Sequence, residues 1–313
     1  YQKTGTLAVL EREKNNPLNV LTNIYGVGPK KAKDLIENNL DTIEKIQALS
    51  SDELKKIFNK NQLKGIQYYD DINQKIPRAE IVEFDKEFSK VMKECCNEKG
   101  NKFEIVGSYR RGKDFSGDID VIITNEDDKK EVFEKFIDAL KEKKLLEYTF
   151  SKGPTKSLTM CRLTPQSKVA RRVDFLYTSP SEYPFALLYF TGSKIFNTVM
   201  RQRALSMGYT LNEHGLSHMK GGVKGAKVDH DFKSEKDIFD FLNMDYKKPE
   251  ERIDGRAVQA KTASQITSEQ ASVPQNTIIM KEEESSQAPV KRKPVVRKTI
   301  KKKPIDQSKE IAG

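Results

Sequence analysis

The chain has 313 residues, 56 Lys+Arg against 46 Asp+Glu for a formal net charge of +10, and 36% hydrophobic residues. That length allows about two domains with packed cores, no apolar run approaches the roughly 20 residues of a membrane span, and no signal peptide opens the sequence. Cys95, Cys96 and Cys161 are few and odd in number, and His214, His218 and His230 are out of ligand spacing. A disulfide framework, a zinc site and a His-based triad are therefore excluded, and a reducing interior is expected.

In chain order, residues 1–76 read as all helical, with punctuation at Asp41-Thr42, Ser50-Ser51 and Pro77. Gly26-Val27-Gly28-Pro29-Lys30-Lys31 precedes an amphipathic run. Proline suits a first helical turn, and glycines before it let backbone N–H groups face a phosphate oxygen. From Arg78 a helix with Ile81, Phe84, Phe88, Val91, Met92 and Cys95 on one face leads into a sheet that continues to about Ser179.

Gly107-Ser108-Tyr109-Arg110-Arg111-Gly112 and Ser116-Gly117-Asp118-Ile119-Asp120 follow. Gly107 permits close backbone approach, Ser108 suits the cap of a short phosphate-facing helix, and Arg111 adds a permanent forked cation. Asp118 and Asp120, two apart on a predicted strand, share a face with Cα atoms about 6.5 Å apart. A second strand, Arg171 to Tyr177, brings Asp174, which is costly to bury between Val173 and Phe175 without a cation. Three strand carboxylates suit two Mg²⁺ ions about 3.5–4 Å apart, for which Mn²⁺ can substitute.

Residues 180–254 read as mixed α and β, with helices near Pro180–Phe190, Ser193–Ser206 and Glu235–Leu242. Ser193 is a predicted N-cap, and Asn197 and Arg201 lie four apart on one helical face. Residues 255–313 are rich in Ser, Gln, Lys and Pro, carry +6 of the net charge, and should be disordered. Their Lys291-Arg292-Lys293-Pro294 and Lys301-Lys302-Lys303 clusters suit a nuclear localisation signal or a nonspecific DNA arm, and also a plain solvated extension.

Together, Gly-Ser-x-Arg-Arg-Gly, Ser-Gly-Asp-Ile-Asp-Val, Arg-Arg-Val-Asp, and Tyr189-Phe190-Thr191-Gly192-Ser193 with Asn197 and Arg201 resemble the family X DNA polymerases, with beta-like and some lambda-like features. The resemblance runs in order from about Leu18 to Arg252. It implies an α+β fold: a helical helix-hairpin-helix subdomain (1–76, with the last helix of a truncated lyase domain at 1–16), a nucleotidyltransferase palm with mixed β-sheet (77–179), a C-terminal α/β nucleotide-selection subdomain (180–254) and a disordered basic tail (255–313).

The resemblance further implies that Asp118, Asp120 and Asp174 are catalytic metal ligands. Gly107, Ser108, Arg111, Ser116 and Gly117 would meet the triphosphate of a dNTP, and Tyr189, Phe190, Gly192 and Asn197 its sugar and base. Gly26, Gly28, Lys30, Lys31, Arg172 and Arg201 would contact DNA, with Glu213 the partner of Arg201 in a closed form. Carbonyls of Thr22, Ile24 and Gly26 would hold Na⁺ or K⁺.

The implied protein is a monomeric, nuclear, template-directed polymerase that fills gapped or nicked DNA in base excision repair, with repair-protein partners reached through the tail. Lys194, Thr198 and Leu176 depart from the beta pattern, and His214 is lambda-like. The short connection Thr164–Ala170, with Asn197 and Arg201, weighs against template-independent transfer. The three aspartates weigh against a non-catalytic DNA-binding scaffold.

Overall fold

The computed structural model describes Glu13 and residues 15–261. Of the helix expected at Thr6–Lys14 only Glu13 is among the described residues, and the tail beyond Lys261 falls outside them.

Short capped helices build the N-terminal part. Helix α1 (Pro17–Thr22) starts where the Asn16 side chain accepts the Leu18 N–H at 3.0 Å, and α2 (Pro29–Glu37) starts on Pro29 after Gly28. Helix α3 (Ile43–Gln47) is capped by Thr42. Reciprocal capping boxes, Ser50 with Glu53 and Asn59 with Gln62, begin α4 (Ser51–Ile57) and α5 (Lys60–Gln67), and α6 (Tyr69–Asn73) follows. Helices this short are marginal alone. They are held by one core in which Leu21, Ile24 and Val27 of the hairpin pack with Ala32, Leu35, Ile46, Phe58 and Ile66.

The central part is a five-stranded mixed sheet. Strand β1 (Ile76–Pro77) precedes α7 (Arg78–Cys95), whose Ile81, Phe84, Phe88, Val91 and Met92 are buried. Then come β2 (Asn101–Ile105), α8 (Gly107–Arg110), β3 (Phe115–Ser116), β4 (Ile119–Asn125), α9 (Glu131–Glu142), β5 (Leu146–Lys152), β6 (Lys156–Cys161) and β7 (Arg171–Tyr177). Sheet order is β2-β4-β7-β6-β5, and β1 pairs separately with β3. Only β4 and β7 pair in parallel, in a register that sets Asp120 opposite Asp174.

Alternation along β4 sends Ile119, Val121 and Ile123 into the core under α7 and α9. Ile122 faces the other way, toward Val106 and Ala186.

Helix α10 (Tyr183–Thr191) joins that second face to the C-terminal part: Ala186 packs on Val106 and Ile122, while Phe185 and Leu188 enter the C-terminal core. Helix α11 (Lys194–Ser206) is capped by Ser193, which accepts the Phe196 N–H at 3.4 Å. A meander of β8 (Tyr209–Asn212), β9 (Gly215–Lys220) and β10 (Val223–Lys227) leads to α12 (Glu235–Phe241), begun by a Ser234/Asp237 capping box. Ordered chain runs past the tail boundary expected at Gly255. A 3₁₀ turn at Gly255–Ala257 follows the Asp254 cap, Ala257 and Val258 pack on the C-terminal core, and Ala260 bridges to Met244. Small apolar residues suffice there because they complete an existing core.

The central and C-terminal parts are tied by buried charge. Glu235 at the start of α12, its side chain 4% exposed, accepts from Arg110 of α8 at 2.8 Å and from the wholly buried Arg252 at 2.6 Å. Arg252 lies among the rings of Phe196, Phe239 and Tyr246, 5.4–5.8 Å from their centroids. Burial alone would raise the Glu235 pKa, but the hydrogen bonds from Arg110 and Arg252 outweigh it and hold the carboxyl below its ordinary 4.5.

Removing one member leaves buried charge unpaired, so Glu235→Ala is expected to lose about 3–5 kcal/mol of stability by urea unfolding. Because the folded pKa is depressed, the stabilisation is complete above about pH 4.5 and is lost as pH falls through the lowered value. The difference between wild type and Glu235→Ala should therefore shrink in acid, and a constant difference from pH 7 to pH 3 would contradict the assignment.

Candidate active site

Strand pairing places the carboxylates. Asp120 of β4 and Asp174 of β7 are register partners on the sheet face opposite the core, and Asp118 stands in the bend just before β4 rather than within it. One oxygen from each of the three lies within 4.8 Å of the other two. Asp120 is the most deeply placed: burial, then the neighbouring Asp174 charge, pushes its pKa up to about 6, against the pull of Lys156 and Arg111. Burial likewise raises Asp174, opposed by Arg172 and Lys156. Asp174 Oδ1 is buried without a hydrogen-bond donor, its nearest cation being Arg172 Nε at 3.8 Å. The other arm of Arg172 pairs with Asp118. Three hard oxygen donors, one orphaned and two carrying charge that burial disfavours, fit a hard divalent cation.

Gly107 lets the next turn pass over this group. Its φ is +62°, and a Cβ there would lie 2.4 Å from Asp120 Oδ2. Ser108 does not cap α8 as expected. It lies inside the four-residue helix, and its hydroxyl donates to Ser116 Oγ at 2.8 Å. The cap position is Val106, whose apolar side chain has no acceptor to offer. Arg111, the residue that ends α8, gives its Nη1 to the Thr191 carbonyl, while Arg110 donates to the Thr191 hydroxyl at 2.7 Å. The phosphate-type turn and the end of α10 are thus bolted together through one threonine.

A cleft of about 440 Å³ opens where they meet. Gly107, Ser108, Arg111, Asp118 and Asp120 form one wall, and Tyr189, Phe190, Gly192, Asn197 and Arg201 the other, with Lys194 and Thr198 beside them. The Tyr189 and Phe190 rings meet edge to face, centroids 5.1 Å apart. Asn197 Nδ2 donates to the Tyr189 carbonyl at 2.6 Å, which ties α11 to the platform. Ser116 is buried behind the turn and does not line the cleft.

A second cleft, about 420 Å³, shares Asp118 and continues past Gly117, Arg172 and Lys75 to the hairpin loop from Thr22 to Val27. There two of the three carbonyls expected to hold a monovalent cation also accept hydrogen bonds. The Gly26 carbonyl accepts from Gln62 Nε2 at 2.8 Å, and that of Ile24 accepts the Val27 N–H at 3.0 Å. The capping-box glutamine of α5 reaches the loop, a contact 36 residues away that no local pattern announces. Gly28, Lys30 and Lys31 lie at the start of α2, Gly28 and Lys30 exposed and Lys31 half-buried. Glu213 forms no ion pair with Arg201 among the described residues; Arg201 instead borders a narrow crevice with Tyr189, Asn197 and Asn212.

Sequence reasoning missed Lys156, Lys75 and Tyr25. Lys156 pairs with Leu176 across β6 and β7 and borders the crevice of Asp120 and Asp174. Lysines and a loop tyrosine carry no spacing signal, so only strand pairing and tertiary packing could reveal them.

Comparison with known proteins follows the same division. The family model described as the DNA polymerase beta palm matches residues 75–180, that of the DNA polymerase beta thumb residues 186–253, and that of the fingers domain of DNA polymerase lambda residues 19–73. DNA polymerase lambda of Arabidopsis thaliana is 33% identical over 270 residues, covering 80% of this chain and 49% of the relative. DNA polymerase lambda of Rattus norvegicus is 34% identical over 247 residues, 75% of this chain and 42% of the relative. The chain spans about half the length, or less, of these curated relatives.

Because a proton on Asp120 competes with a metal ion, Mn²⁺ affinity followed by electron paramagnetic resonance should weaken about tenfold per unit as pH falls below about 6. Gly107→Ala, which costs about 1–2 kcal/mol in backbone strain and pushes Asp120 aside, should weaken Mn²⁺ by more than about tenfold at neutral pH. Unchanged affinity in that variant would separate the turn from the carboxylates.

Proposed function

The chain belongs to the family X DNA polymerases, and from that premise we propose that it is a template-directed DNA polymerase that fills short gaps in nuclear DNA during base excision repair. The observation that carries the reading is a single cleft in which Asp118 and Asp120 meet the Gly107–Arg111 turn and the Tyr189–Gly192 platform, with Asp174 beside them in one carboxylate cluster. The substrates are gapped or nicked DNA and dNTPs, and the metal is Mg²⁺, with Mn²⁺ able to substitute.

Asp118 and Asp120 would hold both ions and Asp174 the one nearest the primer 3′-hydroxyl. When bound, such ions lower the pKa of the attacking hydroxyl and neutralise the leaving pyrophosphate. The chain's own groups do the rest. Arg111, the Ser108 hydroxyl and the backbone at Gly107 and Gly117 receive the triphosphate, supported by Ser116 behind Ser108. Fixed donors in a partly buried cleft favour charge that moves toward the leaving phosphates.

Tyr189, Phe190 and Gly192 seat the sugar, Asn197 the minor-groove edge of the base, and Arg201 the templating base, with Glu213 its partner on closure. Arg172 reaches the primer strand. Gly26, Gly28, Lys30 and Lys31 grip the DNA backbone without reading sequence, as N–H groups and lysines at a helix start do. Na⁺ or K⁺ would lie at the carbonyls of Thr22, Ile24 and Gly26, the last sharing its second lone pair with Gln62. A monomer suffices, since all of these residues lie on one chain, and the basic tail is available to repair partners.

The test is primer extension on a one-nucleotide-gapped duplex with each dNTP supplied singly. Only the complementary nucleotide should be added, only with template and Mg²⁺, and Asp174→Ala should fall by more than about a hundredfold while still binding DNA. Addition without regard to template would assign the chain to terminal transfer instead.

A further inference from the structure

Tyr25 stands in the hairpin loop between Ile24 and Gly26, yet its ring belongs to the palm. It stacks on Phe150 of β5 with centroids 3.9 Å apart and planes 29° from parallel. Phe150 is buried and is met edge-on by Tyr148 at 5.1 Å. Asn61 of α5 closes the same joint: its Nδ2 donates to the Phe150 carbonyl at 2.9 Å, and its Oδ1 accepts from the Tyr148 hydroxyl at 3.1 Å.

Behind the loop, Gly65 leaves the space that Tyr25 uses, since a Cβ there would come within 2.5 Å of the Tyr25 carbonyl oxygen. On its open side Tyr25 lines the cleft whose opposite wall is Gly117, Asp118 and Arg172. Burial, and then the charge of Asp174, raises the pKa of its hydroxyl, so the side chain lies within electrostatic reach of the catalytic group.

Two sites must act on one DNA strand. The hairpin loop grips backbone, the aspartates act on the 3′ end, and the two parts are joined by a stacked aromatic pair, one ring from each, of which Tyr25 lines the cleft between them. We propose that Tyr25 is a positioning residue that clamps the hairpin loop to the palm through Phe150, fixing the distance from the gripped primer backbone to the 3′-hydroxyl at the metal site. This role rests on the polymerase reading above. Misplacing a reacting group by about 1 Å can cost about a hundredfold in rate, so a loose joint at this point should slow chemistry more than it weakens binding. Neither Phe150 nor Asn61 lines the cleft, whereas Tyr25 does.

The experiment is single-turnover incorporation by the full chain on a one-nucleotide-gapped duplex at saturating DNA and dNTP, with DNA affinity measured separately. Tyr25→Ala and Phe150→Ala should each slow incorporation about tenfold or more with DNA affinity within about threefold of wild type. The double variant should be no more than about twofold slower than either, as expected for two halves of one device. Tyr25→Phe keeps the ring and should restore the rate.

Multiplying effects in the double variant, a normal rate in Phe150→Ala, or a Tyr25→Phe as slow as Tyr25→Ala would each overturn the clamp. So would a loss confined to DNA affinity. Should Phe150→Ala fail to fold, Asn61→Ala removes the second strut of the joint, and a normal rate there also overturns it. A wild type that adds nothing to gapped DNA defeats the polymerase reading itself, and the clamp with it, whereas a competent wild type beside equally competent variants defeats the clamp alone.

Discussion

Everything at the site depends on the parallel pairing of β4 with β7. Side chains alternate along a strand with a period of two, so a slip of one residue would turn every side chain of β7 to the other face. Asp174 would then enter the core, and Val173 or Phe175 would face Asp120. The register is held by what lies on the buried side: Val121, Ile123, Val173, Phe175 and Tyr177 all belong to one core with α7 and α9. Apolar packing on one face of the sheet thus fixes the carboxylates on the other. The aspartates are costly to place together, and the stability that tolerates them comes from a core they do not touch.

A second layer of organisation concerns what meets the carboxylates. Consecutive arginines at the end of α8 converge on one threonine, Arg110 on the Thr191 hydroxyl as well as Glu104 and Glu235, and Arg111 on the Thr191 carbonyl. Tyr183 donates to the second oxygen of Glu104 at 2.6 Å, so α10 is held at both ends by the same group of charges. The turn beside the three aspartates and the helix that carries Tyr189 and Phe190 therefore share one polar scaffold, added to the apolar contact of Ala186 with Val106 and Ile122.

Features set by neighbours along the chain are legible in the sequence alone. Thr42, Ser50 and Ser193 all cap helices where the punctuation places them, and the buried face of α7 is the periodic one. The three aspartates stand out because carboxylates two apart on a strand, or alone in an apolar strand, are expensive without a cation. What escapes such reading is long-range or set by where an element begins. Ser108 has the chemistry of a cap but lies inside α8, whose cap position is Val106. The Gly26 carbonyl is met by Gln62, and a glycine does not report a partner 36 residues away. The fold also continues past Asp254, since Ala257, Val258 and Ala260 carry little periodic signal yet finish a core formed by others.

The buried group Arg110, Glu235 and Arg252 gives the joint between the two larger parts an unusual response to heat. The penalty for stripping water from charged groups falls as temperature rises, whereas apolar stabilisation per unit area levels off. A joint made of charges largely out of solvent therefore gains ground on the surrounding cores as the protein warms. The hairpin part is held by short helices around a small apolar core, and its ion pairs Lys45–Asp41 and Lys55–Asp52, among the described residues, lie at the surface. On heating, the hairpin loop should loosen while the Gly107–Arg111 turn and the Tyr189–Gly192 platform still face each other, so that the cleft beside the loop loses its shape before the cleft between turn and platform does.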